Sequence, residues 1–212
     1  MQHIHMVSTK DHNGLNAGIL LFRVHLWTVN FLIETLGYPL FLPDHNLGPG
    51  QEQEAMVRVL NKSAPTGRSY REGNVYIPRT WINTYEFHHA YEGKKGDMLV
   101  HFPGLGDAKS PHMADWLKKI ETMPNEWEVP LEQTDYPRKV AAFWKQYRAA
   151  WDAAKDNEEE IKKAPEGAST SARSAAIKQL KLALGEHSDN AEVLKQRLDD
   201  LQAAVKKETG QI

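Results

Sequence analysis

The 212-residue chain has no cysteine, no excess of positive charge and no long uninterrupted hydrophobic run. Without cysteine there can be no disulfide framework, thiolate metal site or thiol nucleophile. A formal net charge of −2 argues against a general nucleic-acid binder, because such proteins carry a basic excess. Residues 1–13 lack the basic-then-apolar order of a signal peptide. Charged and polar side chains interrupt the longest apolar stretch, residues 19–36, so we expect no signal or transmembrane segment in this chain.

Aromatic residues, glycine, proline and histidine are concentrated in residues 1–137 and are scarce in residues 138–212. Short apolar runs separated by turn residues in the first segment predict strands alternating with helices, the pattern of an α/β fold. The second segment is rich in alanine and predicts helices, with a hinge at residues 164–171. We therefore expect an α/β domain over residues 1–137, followed by an α-helical tail over residues 138–212.

Hydrophobic spacing predicts the elements of the first segment. Residues 14–22 predict a buried strand entered through a tight turn, and residues 24–36 predict a buried helix that ends at Gly37. Residues 43–50 read as a loop, and residues 51–60 predict an amphipathic helix with acidic residues in its first turn.

Two short strands and one more helix complete the first segment. The strands are expected at residues 75–77 and 98–102. The helix is expected to open at Ser110, with Pro111 in its first turn. Three apolar side chains of this helix are expected to face inward: Trp116, Leu117 and Ile120.

The tail predicts a docking helix followed by a helical pair. The docking helix spans residues 140–161, and four aromatic residues near one of its faces are expected to pack on the first domain: Phe143, Trp144, Tyr147 and Trp151. A later amphipathic stripe predicts a helical pair or short coiled coil. Its members are Val193, Leu194, Leu198, Leu201 and Val205.

Three places in the first segment carry candidate chemistry. His101 ends a predicted strand before a Pro-Gly turn, where a histidine can meet a ligand or metal, or be structural. The glycine-rich run at residues 13–18 favours close backbone approach, with Asn16 offering both a donor and an acceptor. Glu52 and Gln53 could hold a sugar or a cation, or could simply favour the start of a helix.

The ten histidines leave open the interpretation that the chain is a small metal-binding protein. The two histidine pairs are His3-x-His5 and His88-His89. Adjacent histidines on a strand point to opposite faces, so they cannot chelate one ion without a bend. Composition alone does not define a set of ligands.

Four segments carry a family resemblance when they are taken in order. They are Asn16-Ala-Gly18 with an apolar strand and Arg23, Glu52-Gln-Glu-Ala55, Ile77-Pro through Ile82-Asn-Thr-Tyr85, and Gly96-Asp-Met-Leu-Val-His-Phe-Pro-Gly104. The set resembles the fungal galactosyl/mannosyltransferase family, glycosyltransferase family 34, which includes plant xyloglucan xylosyltransferases. The resemblance covers about residues 13–127, and its most specific part is the His-Phe-Pro-Gly element with its spacing from Asn-Ala-Gly.

That resemblance implies a GT-A fold and retaining transfer of a hexose from a nucleotide-sugar to a glycan hydroxyl, assisted by Mn²⁺. Family members are typically Golgi membrane proteins with a lumenal catalytic domain, and they work in multi-protein complexes. The implied partners are therefore a nucleotide-sugar donor, a glycan acceptor and other glycosyltransferases in a homo- or hetero-oligomer, with no nucleic acid.

The resemblance also implies roles for seven residues of this chain. His101 corresponds to a metal ligand, and Glu52 and Gln53 correspond to catalytic residues near the donor sugar. A charge there could stabilise an oxocarbenium-like transition state. The residues implied to bind substrate are Asn16, Gly18, Asn83 and Gly104.

The chain departs from the family pattern at one essential point. The family's nucleotide-binding half precedes the Asn-x-Gly segment and carries an Asp-x-Asp motif with two metal ligands, whereas no Asp-x-Asp occurs in these 212 residues. We therefore expect the C-terminal half of a GT-A-like transferase, from a truncated product or an incomplete gene prediction, with impaired activity. The alternative is a non-catalytic interaction partner of a full-length Golgi glycosyltransferase, pairing through an uncovered sheet edge or the tail helices.

Overall fold

The computed structural model describes residues 1–41, 47, 51–63, 69–87, 90–166 and 168–210. The chain divides into two units, one formed by Met1–Ile77 with Phe143–Ile212 and the other by Pro78–Ala142. These units differ from the division at residue 137 expected from composition, because the helical tail packs on the N-terminal strands. Residues 1–137 contain both helices and strands, consistent with an α/β domain, but the two do not alternate strictly: four of the described strands follow one another between residues 74 and 101 with no α-helix between them. Within the described ranges, no helix is both long and apolar enough to cross a membrane.

The first unit is built on a three-stranded mixed sheet. Its strands are β1 (Met6–Asp11), β2 (Gly14–Phe22) and β3 (Asn74–Tyr76), in the order β2-β1-β3. The pair β1–β2 is an antiparallel hairpin, and β1–β3 is parallel. The strand predicted over residues 14–22 is confirmed, although Leu21 is exposed and the strand is not wholly buried. Strand β1 was not predicted, because its segment reads as polar and rich in histidine.

Two helices pack on this sheet, and the sequence predicted one of them better than the other. Helix α1 spans Leu26–Phe41, and α2 spans Gln51–Leu60, as predicted. The side chains that form the shared core include Met6, Leu15, Phe31, Tyr38, Ala55, Val59, Leu60, Tyr70 and Tyr76. The loop predicted at residues 43–50 lies outside the described residues, except for Leu47.

The predictions of a buried α1 and of a stop at Gly37 are wrong. The helix continues through Gly37 and Pro39 to Phe41. Its buried face is a narrow stripe of Thr28, Phe31, Thr35 and Tyr38. A run that is apolar on every side gives no periodicity from which to tell the buried face from the exposed one.

The tail forms three helices, of which the first begins in the second unit and continues into the first. They are α5 (Tyr136–Lys162), α6 (Ser171–Glu186) and α7 (Ala191–Thr209). The expected docking of aromatic residues is confirmed for two of the four: Tyr147 is buried, and the Trp151 ring stacks on His3 with centroids 3.6 Å apart. The helical pair is confirmed too, because α6 packs against α7 through buried leucines.

The loop between α6 and α7 covers the outer edge of β3. The Ser188 hydroxyl accepts a hydrogen bond from Tyr76 N at 2.8 Å and lies 2.9 Å from Tyr76 O, to which it donates. Both residues are buried. The expectation of an uncovered sheet edge is therefore wrong at Tyr76, because the tail supplies the partner for its backbone groups.

The second unit has a smaller sheet and two helices. Its strands are β4 (Thr84–Phe87), β5 (Ala90–Tyr91) and β6 (Val100–His101), in the order β5-β4-β6. Its helices are α3 (Lys109–Thr122) and α4 (Pro124–Trp127). The strand predicted at residues 98–102 is thus present but only two residues long.

Helix α3 buries one aromatic side chain rather than a broad apolar face. Trp116 is buried as predicted, with edge-to-face contacts to Tyr91 and Trp127 at 5.1 Å between ring centroids. The inward placement predicted for Leu117 and Ile120 is wrong, since both are exposed.

Candidate functional site

The end of the β1–β2 hairpin is joined to the first turn of α2 by a chain of hydrogen bonds, which we call the hairpin–helix network. The backbone N–H of Ala17 donates to Gln53 Oε1 at 2.8 Å, and that of Gly18 donates to Asn16 Oδ1 at 2.8 Å. Asn16 Nδ2 donates to Asp11 Oδ2 at 2.9 Å. The network therefore fixes the strand start against the helix N-terminus through residues far apart in sequence.

Asn16 uses both ends of its amide within this network. Its side chain is buried, and Asp11 also accepts from the backbone N–H of Asn13 at 2.7 Å, which closes the turn. Gly14 ends that turn with a φ of 102°, a conformation that a residue with Cβ adopts only with strain. The chemistry of Asn16 in this structure is to hold the backbone of residues 16–18 in one conformation.

Gln53, a member of the network, and its neighbour Glu52 have polar groups that could contact a ligand. Gln53 is half-buried, and its Nε2 donates to no other described residue. Glu52 is exposed, whereas Glu54 pairs with Arg58 one turn along the helix at 2.6 Å. A carboxylate and an amide donor therefore occupy consecutive positions in the first turn of α2, where the helix dipole favours negative charge.

In the second unit, the His101 ring stacks on the Tyr85 ring, and the Arg79 guanidinium lies over that tyrosine. Tyr85 and His101 are paired across β4 and β6, and their ring centroids are 5.1 Å apart. The Arg79 guanidinium lies 4.1 Å from the centroid of the Tyr85 ring. A cation over a tyrosine face is attractive, so this stack orients the imidazole from one side.

An ion pair anchors that stack. Arg79 donates to Glu92 through both terminal guanidinium nitrogens, with Nη2 2.8 Å from Glu92 Oε2. Glu92 also accepts from the backbone N–H of Tyr85 at 2.7 Å. The hydrogen bonds from Arg79 hold the pKa of Glu92 below its usual range, since they favour the carboxylate.

The remaining predicted residues of the second unit have structural environments of their own. Asn83 is fully buried, and its backbone carbonyl accepts from Arg79 Nη1 at 3.2 Å. Gly104 is exposed and has a φ of 68°, which suits glycine at the turn after His101.

The structure thus divides the seven predicted site residues between the two units. It brings Asn16, Gly18 and Gln53 into one network, with Glu52 beside them, and it holds Asn83, His101 and Gly104 in the second unit. Their predicted roles in binding and catalysis stay predictions.

The histidine pairs of the sequence show no metal-binding geometry in the described ranges. His3 stacks on Trp151, and His5 stacks on His25 at 4.2 Å between ring centroids. Burial lowers the pKa of His5. His88 and His89 lie outside the described residues. In the part of the chain that the structure describes, no group of three or more histidine, aspartate or glutamate side chains could hold a metal ion.

Sequence reasoning missed three residues that organise these sites. Asp11 carries a local signal, because Asp-His-Asn-Gly is a composition typical of a tight hairpin turn. Arg79 and Glu92 carry none, because an ion pair between residues 13 positions apart has no sequence signature.

The family match to known proteins covers the part of the chain that contains the hairpin, α2 and the strand of His101. The model of the galactosyl transferase GMA12/MNN10 family matches residues 1–110, so the chain belongs to this family of glycosyltransferases. An alpha-1,2-galactosyltransferase of Schizosaccharomyces pombe is 32% identical over 111 residues, which cover 50% of this chain and 27% of that relative. The chain therefore spans about a quarter of the relative's length. No solved structure matches the chain significantly.

Proposed function

We propose that this chain supplies the sugar-side half of a retaining hexosyltransferase, which transfers a hexose from a nucleotide-sugar to a glycan hydroxyl. The galactosyltransferase named among the relatives favours galactose as that hexose. A GT-A-like domain and a place at the Golgi membrane belong to this proposal, and they rest on the family. The observation that carries it is the hairpin–helix network, because the matched region contains all of its members.

The network suits recognition of a sugar at the start of α2. Gln53 is held by its carbonyl oxygen on Ala17 N–H, so its Nε2 is oriented without further loss of side-chain freedom. An oriented amide donor can form a hydrogen bond to a sugar hydroxyl. Asn16 then acts by positioning the backbone of Ala17 and Gly18 beside the sugar.

In the proposed reaction the acceptor oxygen forms a bond to the anomeric carbon as the bond from that carbon to the donor phosphate oxygen breaks. The anomeric configuration is retained. Positive charge develops on the anomeric carbon and ring oxygen, and the Glu52 carboxylate is proposed to stabilise it. The electron pair of the broken bond leaves with the nucleoside diphosphate, and the phosphate oxygen that departs accepts the proton of the acceptor hydroxyl.

Residues of the second unit are proposed to have roles of their own. Gly104 would contact the acceptor, and His101 would offer an imidazole nitrogen to a Mn²⁺ ion. Asn83 is fully buried, so it would act by positioning its neighbours and not by touching the acceptor. The described residues do not by themselves fit a complete Mn²⁺ site, because no three acidic or histidine side chains converge and this ion takes several oxygen donors. We accordingly propose weak or no transfer by this chain alone.

The proposal is tested by saturation-transfer difference NMR on the purified chain. The probes are UDP-galactose, GDP-mannose and UDP-xylose, each measured separately. We expect saturation of the sugar protons of at least one probe, stronger than saturation of its nucleotide protons. Saturation confined to the nucleotide, or none with any probe, would contradict a sugar-side role.

Two glutamines of α2 provide a matched pair of variants for that experiment. Gln53→Ala removes the amide that holds Ala17, whereas Gln51→Ala makes the same change at an exposed residue two positions earlier. We expect the hexose signal to be lost in the first variant and kept in the second. Equal signals in the two variants would separate sugar binding from the network.

A further inference from the structure

Helix α1 carries an apolar stripe that no described residue covers. Its members are Leu26, Val29, Ile33, Leu36 and Leu40, and each is between 49% and 81% exposed. They recur at spacings of three and four residues, so they lie along one side of the helix. The core-facing side is a separate set that includes Phe31 and Tyr38.

The stripe is large for a protein surface. Half to four-fifths of five aliphatic side chains amounts to about 600 Å² of contiguous apolar area, the upper end of what monomers expose. Leu21 and Val24 precede it and are exposed as well. An apolar area of this size normally marks a docking surface.

The charges of α1 indicate which kind of partner the stripe could bind: a membrane surface, a charged macromolecule or a second copy of the chain. Its one charged residue is Glu34, whose carboxylate accepts from the Tyr70 hydroxyl at 2.6 Å. Helices that lie in a membrane surface carry lysine and arginine on their polar face, and α1 has neither. A charged macromolecule would likewise find no complementary group along the stripe. An uncharged apolar stripe is complementary to itself.

We propose that the α1 stripe is a self-association surface, on which two copies of this chain pack α1 against α1 about a two-fold axis. In such an isologous contact each copy contributes the same patch. Burial of about 600 Å² on each copy gives about 1,200 Å² in total, the lower bound of specific interfaces. Apolar residues at alternating spacings of three and four residues are the pattern that lines the contact between two packed helices. This inference does not depend on the proposed transferase role.

Solution mass under dilution tests the proposal directly. Size-exclusion chromatography with light scattering on the full chain should give about twice the 24.1 kDa chain mass at high concentration and approach the chain mass on dilution. Leu36→Glu places two like charges in the contact and should raise the dissociation constant at least tenfold. Leu182→Glu is the matched control, because Leu182 is an exposed leucine on α6 and should leave the dissociation constant unchanged.

The absence of cysteine permits a second measurement on the same surface. Each of Val29→Cys, Ile33→Cys and Leu36→Cys introduces the only thiol of the chain. Mild oxidation should cross-link at least one of the three into a covalent dimer, because a residue near the two-fold axis meets its own copy. Leu182→Cys should remain uncross-linked under the same conditions.

Three outcomes would overturn the proposal. One is a wild-type chain that stays monomeric at every concentration, including one that binds neutral phosphatidylcholine vesicles instead. Another is a dimer that Leu36→Glu leaves intact while the circular dichroism spectrum is unchanged. The third is cross-linking that is equal at Leu182→Cys and at the α1 positions.

Discussion

Replacement of Ser188 by alanine should destabilise the first unit more than any change at its surface. The hydroxyl serves both the N–H and the C=O of Tyr76, at 2.8 and 2.9 Å, on the outer edge of β3. Both residues are buried, so water cannot replace the lost partner without opening the contact. An unsatisfied buried backbone group costs about 1–3 kcal/mol, so we expect a loss of about 2–4 kcal/mol for the two together.

Urea unfolding followed by far-UV circular dichroism measures this loss. With a slope of about 2–3 kcal/mol per molar urea, the midpoint should fall by about 1 M at unchanged slope. Ser174→Ala is the control, since Ser174 is exposed on α6, and it should change stability by less than about 0.5 kcal/mol. A Ser188→Ala midpoint within the control's range would refute the view that the tail satisfies the sheet edge.

Two further changes test the packing of each unit. Because the pKa of Glu92 is lowered by Arg79, its stabilising contribution should be present above the unfolded pKa of about 4.3 and be lost as pH falls through the folded pKa. The free energies of unfolding of wild type and Glu92→Gln in urea should therefore differ at pH 7, by less than about 1 kcal/mol for a partly exposed pair, and converge once pH falls below the folded pKa; a constant difference would contradict this. Gly185→Ala would place a Cβ 2.7 Å from Arg71 Cγ, displacing the arginine from its 2.7 Å pair with Glu186. We expect a net loss of about 1–2 kcal/mol in thermal unfolding despite the better helix propensity of alanine, and a stabilised variant would show that the arginine can move aside.

Local patterns predicted the helices of this chain well. Helix α2 was located to the residue, because its apolar spacing and acidic first turn agree. Strand β1 was missed because the run before it is rich in histidine and its own residues are mostly polar, although its buried positions are Met6, Ser8 and Thr9. The exposed face of α1 was unpredictable for the opposite reason, since every side of that helix is apolar.

The sequence predicted which residues belong to the candidate site but not the hydrogen bonds that link them. Asn16 and Gln53 were identified from motifs, yet their link through Ala17 joins positions 36 residues apart, which only the packing of α2 on the hairpin brings together. The same holds for Ser188 and Tyr76, 112 residues apart, where no sequence pattern pairs a loop serine with one strand residue. Long-range hydrogen bonds of this kind depend on the fold, so local sequence patterns cannot predict them.

The central claim, that the hairpin–helix network binds a sugar, is tested most directly by Gln53→Glu. Glutamate keeps an acceptor for Ala17 N–H but removes the Nε2 donor. We predict that Ala17 stays protected from hydrogen exchange while the affinity for the hexose probe falls at least fivefold, about 1 kcal/mol for one hydrogen bond. Full hexose binding by Gln53→Glu would contradict the account and leave the network a purely structural role.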